Sequence, residues 1–158
     1  MALCVATRAQ RGIDAAAVVP TPCGVIGTLG IGVPPALVHT GLTTPDPVAL
    51  GAFYARLLGW PYRTNDPGWV VLRDPGGGAG LSFQREDRYV LPVWPAGPDD
   101  PAMMAHLDVE VDDLDGAVAW AERCGARVAA YQPQEHVRVC LDPDGHPFCL
   151  YVEEPDAP

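Results

Sequence analysis

His39 and His106 lie 67 residues apart, and so do Ser82 and Cys149. Imidazole, hydroxyl and thiol groups bind polar ligands and carry protons, so an interval that repeats among such residues marks them as candidates for one site. The same interval links Asp46 with Asp113, Phe53 with Trp120 and Arg56 with Arg123. The stretches "ALVHTGLTTPDPVALGAFYARLLGWPY", from residue 36, and "AMMAHLDVEVDDLDGAVAWAERCGARV", from residue 102, therefore read as two copies of one unit.

Each copy must supply elements that hold these residues in place. Residues 36–44 alternate as a strand. Asp46 followed by Pro47 predicts an N-cap with proline at the first helical position, and Gly59 predicts the stop. Leu50, Phe53, Tyr54 and Leu57 form the apolar face of that helix. Short strands are expected near 60–64, 69–73 and 80–85, with "RDPGGG" turning the last two. The second copy repeats the pattern. A strand spans 105–111, Asp112 or Asp113 caps a helix ending before Gly125, and strands fall near 127–131, 137–141 and 147–152. The expected fold class is α+β: two βαβββ modules paired about a pseudo-twofold axis, forming a curved mixed sheet with a cleft and with helices on its outer face. Module 1 is 36–85, module 2 is 104–153, and the proline-rich segment 86–103 is a crossover loop carrying Trp94. Residues 1–35 read as an extension outside the folded unit, disordered or weakly ordered, and 154–158 as a tail.

Alternation decides which side chains leave the core. Leu107, Val109 and Val111 share one face of the 105–111 strand, and His106, Asp108 and Glu110 the other. In the last strand, Phe148, Leu150 and Val152 oppose Cys149, Tyr151 and Glu153. Near 80–85, Leu81 and Phe83 oppose Ser82 and Gln84. In the first strand, His39, Gly41 and Thr43 oppose Val38, Thr40 and Leu42. The apolar faces must take the helices, so His39, Ser82, His106 and Cys149 all belong to the opposite face, where pseudo-twofold pairing would gather them in one cleft. His146, in "DPDGHPF", reads as a hairpin-turn residue pointing away from the sheet centre, and His136 as a solvated turn residue.

The composition narrows the partners. With 158 residues and 48% hydrophobic content the chain can bury a real core. Its net charge of −10, from 10 basic and 20 acidic residues, argues against nucleic acid and against anionic membrane surfaces. The apolar N-terminal stretch is broken by Arg8, Arg11 and Asp14 and by several prolines, so neither a spanning helix nor a signal peptide is expected. Five cysteines (4, 23, 124, 140 and 149), an odd number without a CxxC pair, point to reduced thiols in a cytoplasmic protein.

On the segments "HTGLTTPDPVALGAFYARLLGW", "HLDVEVDDLDGAVAWAERCGARV" and "LDPDGHPFCL", the chain resembles the vicinal oxygen chelate superfamily. This is the glyoxalase, bleomycin-resistance and extradiol-dioxygenase fold, here of the glyoxalase-like type common in actinomycetes. The resemblance covers about 36–153. It implies a cleft in which metal-dependent members bind a divalent ion through residues of the first and last strand of each module, commonly His and Glu. Carried over, those positions are His39, Ser82, His106 and Cys149, so both glutamates are replaced. Two imidazoles and a thiolate suit zinc, with iron or nickel as the other candidates, and leave a position open for water or substrate.

Two readings of function follow. The first is a small-molecule binder of the drug- or metabolite-binding type, without a complete metal site. Its pocket residues are Ser82, Gln84, Trp94 and Asp108, and its ligand is aromatic and cationic. The second is a metal-dependent lyase, isomerase or dioxygenase, with His39, His106 and Cys149 as ligands and Glu110 or Tyr151 as general base. The resemblance also implies a homodimer.

Overall fold

The computed structural model describes residues 37–153; the reading of 1–35 as an extension lies outside these residues. The element order is β1 (His39–Thr44), α1 (Pro47–Leu58), β2 (Tyr62–Asp66), β3 (Trp69–Leu72) and β4 (Gly80–Arg85), then β5 (Leu107–Glu110), α2 (Leu114–Cys124), β6 (Arg127–Val128), β7 (Val137–Leu141) and β8 (Pro147–Tyr151). The chain is thus α+β, built from two βαβββ modules. Each makes its own four-stranded sheet, ordered β1-β4-β3-β2 and β5-β8-β7-β6. Within each sheet the first strand runs parallel to the last, and the other pairs are antiparallel.

Local chemistry sets the helix limits. The Asp46 carboxylate accepts from the N–H groups of Val48 at 3.1 Å and Ala49 at 3.0 Å, and Gly59 ends α1 at φ 69°. Asp113, rather than Asp112, caps α2 through Gly116 N–H, and Gly125 ends it at φ 116°. Strand β6 stops at Val128, short of the expected 131. Beyond it the Gln132 side chain accepts from Val139 N–H and donates to Val139 C=O, doing for β7 what a longer strand would do.

One core serves both modules. Leu50, Phe53, Tyr54 and Leu57 of α1 pack with Ala117, Ala121 and Cys124 of α2 over Val70, Leu72, Leu81, Phe83, Cys140, Phe148 and Leu150. Tyr54 stacks on Phe83 at 5.3 Å, while Phe53 meets Phe148 edge-on at 6.1 Å across the joint. Polar bonds tie the two helices. Trp120 Nε1–H donates to Leu57 C=O at 3.1 Å, and Arg56 donates to Cys124 C=O at 3.0 Å. The joint is also held by a buried carboxylate. Asp142, 0% exposed in the β7–β8 turn, accepts from Tyr54 Oη–H of α1 at 3.1 Å and lies 2.9 Å from His146 Nδ1. His146 Nε2 reaches Thr43 C=O at 3.0 Å, and Thr44 Oγ1 donates to Asp144. This turn therefore packs against the end of β1, and His146 is a half-buried joint residue that meets the other module rather than a turn tip pointing away.

Candidate functional site

Pairing of β5 with β8 sets Asp108 opposite Cys149 and Glu110 opposite Tyr151. His106, just before β5, projects to the same face as these four. His106 Nε2 lies 3.2 Å from Asp108 Oδ1, and the donor atoms of His106, Asp108 and Cys149 all lie within 4.8 Å of one another. The Cys149 thiol is pushed up to about 11, chiefly by burial and further by the charge and hydrogen bond of Asp108. It is protonated at neutral pH and donates to the carboxylate. The Tyr151 phenol is also raised, by burial and then by Glu110, Glu153 and Asp108. That direction disfavours a phenolate at neutral pH.

The crossover loop roofs this face. Trp94, Met103, His106, Gln134, Val139 and Cys149 are among the walls of a cavity of about 160 Å³. Trp94 is partly buried, but its Nε1–H is fully buried and has no acceptor among the described residues. A second cavity, of about 260 Å³, lies between the modules. Gly41 and Thr43 of β1, Tyr89 of the loop, and Met104 and His146 of module 2 border it, and Met103 and Pro147 belong to the walls of both cavities. Tyr89 anchors the start of the loop by donating to Asp144 C=O at 2.9 Å, with His146 Nε2 3.1 Å away.

Of the four residues that the repeat groups together, His106 and Cys149 line one cavity and His39 lines another groove. Among the described residues, β1 is hydrogen-bonded to β4 and β5 to β8, and the two first strands are not paired with each other. His39 lines a separate groove with Arg63, Arg73 and Asp74. Ser82 is buried in β4 against Gly41, and Gln84 is exposed. Asp108, expected to line the pocket, is instead the residue that stands with His106 and Cys149. Sequence reading missed Met103, Gln134 and the Asp142–His146 pair. The last had a signal: an Asp four residues before a His, in a turn that alternation leaves free to meet the other module.

A family model described as a glyoxalase-like domain matches residues 39–151. The chain belongs to this glyoxalase-like family of the vicinal oxygen chelate superfamily. Solved structures agree on the fold. A glyoxalase/bleomycin resistance protein/dioxygenase family enzyme from Burkholderia phytofirmans PsJN is 23% identical, with TM-score 0.58, covering 75% of this chain and 98% of that one. A glyoxalase family protein from Enterococcus faecalis is 18% identical (TM-score 0.54; 72% and 94% covered), and a glyoxalase/bleomycin resistance protein from Albidiferax ferrireducens T118 is 15% identical (TM-score 0.52; 74% and 98% covered). A different likeness is local. Over 34 residues the chain is 62% identical to a UDP-N-acetylmuramoyl-L-alanyl-D-glutamate–2,6-diaminopimelate ligase of Acidovorax sp. (strain JS42), which is 22% of this chain and 7% of that ligase. Among the described residues of this glyoxalase-like protein, no helix is long and apolar enough to cross a membrane.

Proposed function

We propose that this glyoxalase-like protein binds a small organic molecule in the cavity under its crossover loop, as a drug- or metabolite-binding member of the superfamily. The observation that carries this reading is the buried Trp94 Nε1–H, without an acceptor among the described residues, in a cavity otherwise walled largely by Met103, Val137, Val139, Pro133 and Pro147. A buried donor without an acceptor is unfavourable by about 1–3 kcal/mol, and a ligand carbonyl or ring nitrogen would remove that penalty. The volume of about 160 Å³ suits one aromatic ring, since an apolar cavity of about 150 Å³ takes up benzene. The larger space beyond Met103 would receive the rest of the ligand. Asp108 and Glu110 on the neighbouring face favour a positive charge there. The test is a thermal-shift panel of neutral and cationic heteroaromatic compounds. Stabilisation by acceptor-bearing aromatics, lost in Trp94→Phe, is expected; no shift across the panel refutes the reading.

A second reading is favoured by the His106–Asp108–Cys149 group. Nitrogen, oxygen and sulfur donors within 4.8 Å of one another fit a zinc-type ion better than magnesium. In this reading the three residues hold the ion, which supplies Lewis acidity to a chelated substrate, and Glu110 stands on the same face as a general base. Cys149 would have to surrender its proton to the metal, against the burial that now retains it. Elemental analysis of wild-type protein and His106→Ala after incubation with zinc decides: about one ion per chain, lost in the variant, supports it, and no uptake refutes it. A cytoplasmic homodimer is the assembly proposed with either reading.

A further inference from the structure

Module 1 carries a groove of about 420 Å³ between the start of β1 and the β3–β4 turn, apart from the two cavities under the crossover loop. Arg63, Arg73 and His39 all line it. In a chain with twice as many acidic as basic residues, two guanidiniums on one groove are a local reversal of charge. Neither makes an ion pair or a side-chain hydrogen bond among the described residues. Asp74 borders the groove as well, but its carboxylate is turned into its own loop. It accepts from Gly76 N–H at 2.7 Å and Gly78 N–H at 2.8 Å. Those N–H groups are thereby occupied, so recognition in the groove falls to the side chains.

The duplicated fold supplies an internal control. Val71 pairs with Ser82 as Val139 pairs with Cys149, so Leu72 corresponds to Cys140 and Arg73 to Leu141. Tyr62 opposite Leu72 corresponds to Val128 opposite Cys140. After Tyr62 the register slips, and Thr64 faces Val71 with Arg63 bulged between them. In module 2 the chain passes from Val128 directly to Ala129, whose N–H bonds to Val139 C=O at 2.9 Å. Arg63 is therefore an inserted bulge residue without a counterpart, and Arg73 replaces a leucine. The βαβββ unit folds without either charge. Bulges re-aim side chains, and this one adds a second arginine to the walls of the same groove.

The geometry points to an anion-binding site in this groove, which takes the carboxylate or phosphate of a small molecule on Arg63 and Arg73, with the His39 imidazole as a further donor. Guanidinium forks match the paired oxygens of either group. The site is separate from the Trp94 cavity, so it stands whatever that cavity binds.

The test is amide and Arg side-chain NMR of the full chain at low ionic strength, titrated in separate arms with inorganic phosphate and with succinate. Saturable shifts at Leu72, Gly77 and Gly78 and at the Arg63 and Arg73 Nε–H groups are expected. Arg63→Gln/Arg73→Gln should weaken binding by at least about tenfold, while Arg127→Gln, in module 2, should leave it unchanged. Both arginines are exposed, so the double variant retains the fold, and its amide spectrum away from the groove reports this directly. The tighter arm identifies the ligand class as phosphate ester or carboxylate. Non-saturating shifts, or equal affinity in wild type and double variant, would overturn the proposal.

Discussion

Removing the Asp142 carboxylate tests how the two modules are joined. Its Oδ1 accepts from the N–H groups of Asp144 at 3.0 Å and His146 at 2.9 Å, and its Oδ2 from Tyr54 Oη–H at 3.1 Å and His146 Nδ1 at 2.9 Å. Asp142→Ala strands four donors at a position with no exposure. A buried unsatisfied donor costs about 1–3 kcal/mol, and breaking a buried pair about 3–5, so a loss of about 4 kcal/mol is expected. The pH dependence is more specific. Burial alone would lower the His146 pKa, but the Asp142 hydrogen bond and charge, helped by Thr43 C=O and Asp144, raise it above the ordinary value. A raised folded pKa gives stability that is full below the unfolded value of about 6.5 and is lost as pH rises through the folded value. Wild-type stability in urea should therefore fall across that window. In the variant the two largest raising causes are gone while burial remains, so the fall should flatten. Asp142→Asn, which keeps one acceptor, should lose less stability and show the same flattening if Asp142→Ala fails to fold. A loss under about 1 kcal/mol, or an unchanged pH slope, would refute the joint as described.

Other consequences are local. Asp108→Asn removes a charge and a hydrogen-bond acceptor that raise the Cys149 pKa, so iodoacetamide should alkylate Cys149 several-fold faster at pH 8; an unchanged rate would show that burial acts alone. Gly80→Ala would set a Cβ 2.2 Å from the Leu72 carbonyl oxygen, where strand backbones approach closely, and should lower the urea midpoint by the equivalent of about 3 kcal/mol. Gly68→Ala, with open space at its Cβ, should change stability by less than about 0.5 kcal/mol, and a comparable loss at both sites would contradict the close approach.

The repeat carried most of the fold. Capping aspartates, C-terminal glycines and period-two strands are local signals, and Asp46, Gly59, Asp113 and Gly125 all act where their types predict. The His106–Asp108–Glu110 face was legible for the same reason, because alternation alone sets it. The placement of one module against the other was not legible. It depends on Phe53 meeting Phe148 and on Tyr54 reaching Asp142, 88 residues away, and no periodicity encodes such contacts. Hence the groove that His39 lines with Arg63 and Arg73 was not foreseen, and His146 was read as a turn tip. The crossover loop lacks any period, so its role as a roof carrying Trp94 and Met103 emerges only in three dimensions.

The central claim is that the Trp94 cavity receives a ligand acceptor, and the indole N–H resonances of the protein labelled with 15N at tryptophan report it most directly. On saturation with a stabilising heteroaromatic compound, the Trp94 Nε1–H signal should move downfield, as a newly formed hydrogen bond requires, while Trp120 Nε1–H, already bonded to Leu57 C=O, stays in place. A Trp94 signal that does not move at saturation, with affinity intact in Trp94→Phe, would contradict the account.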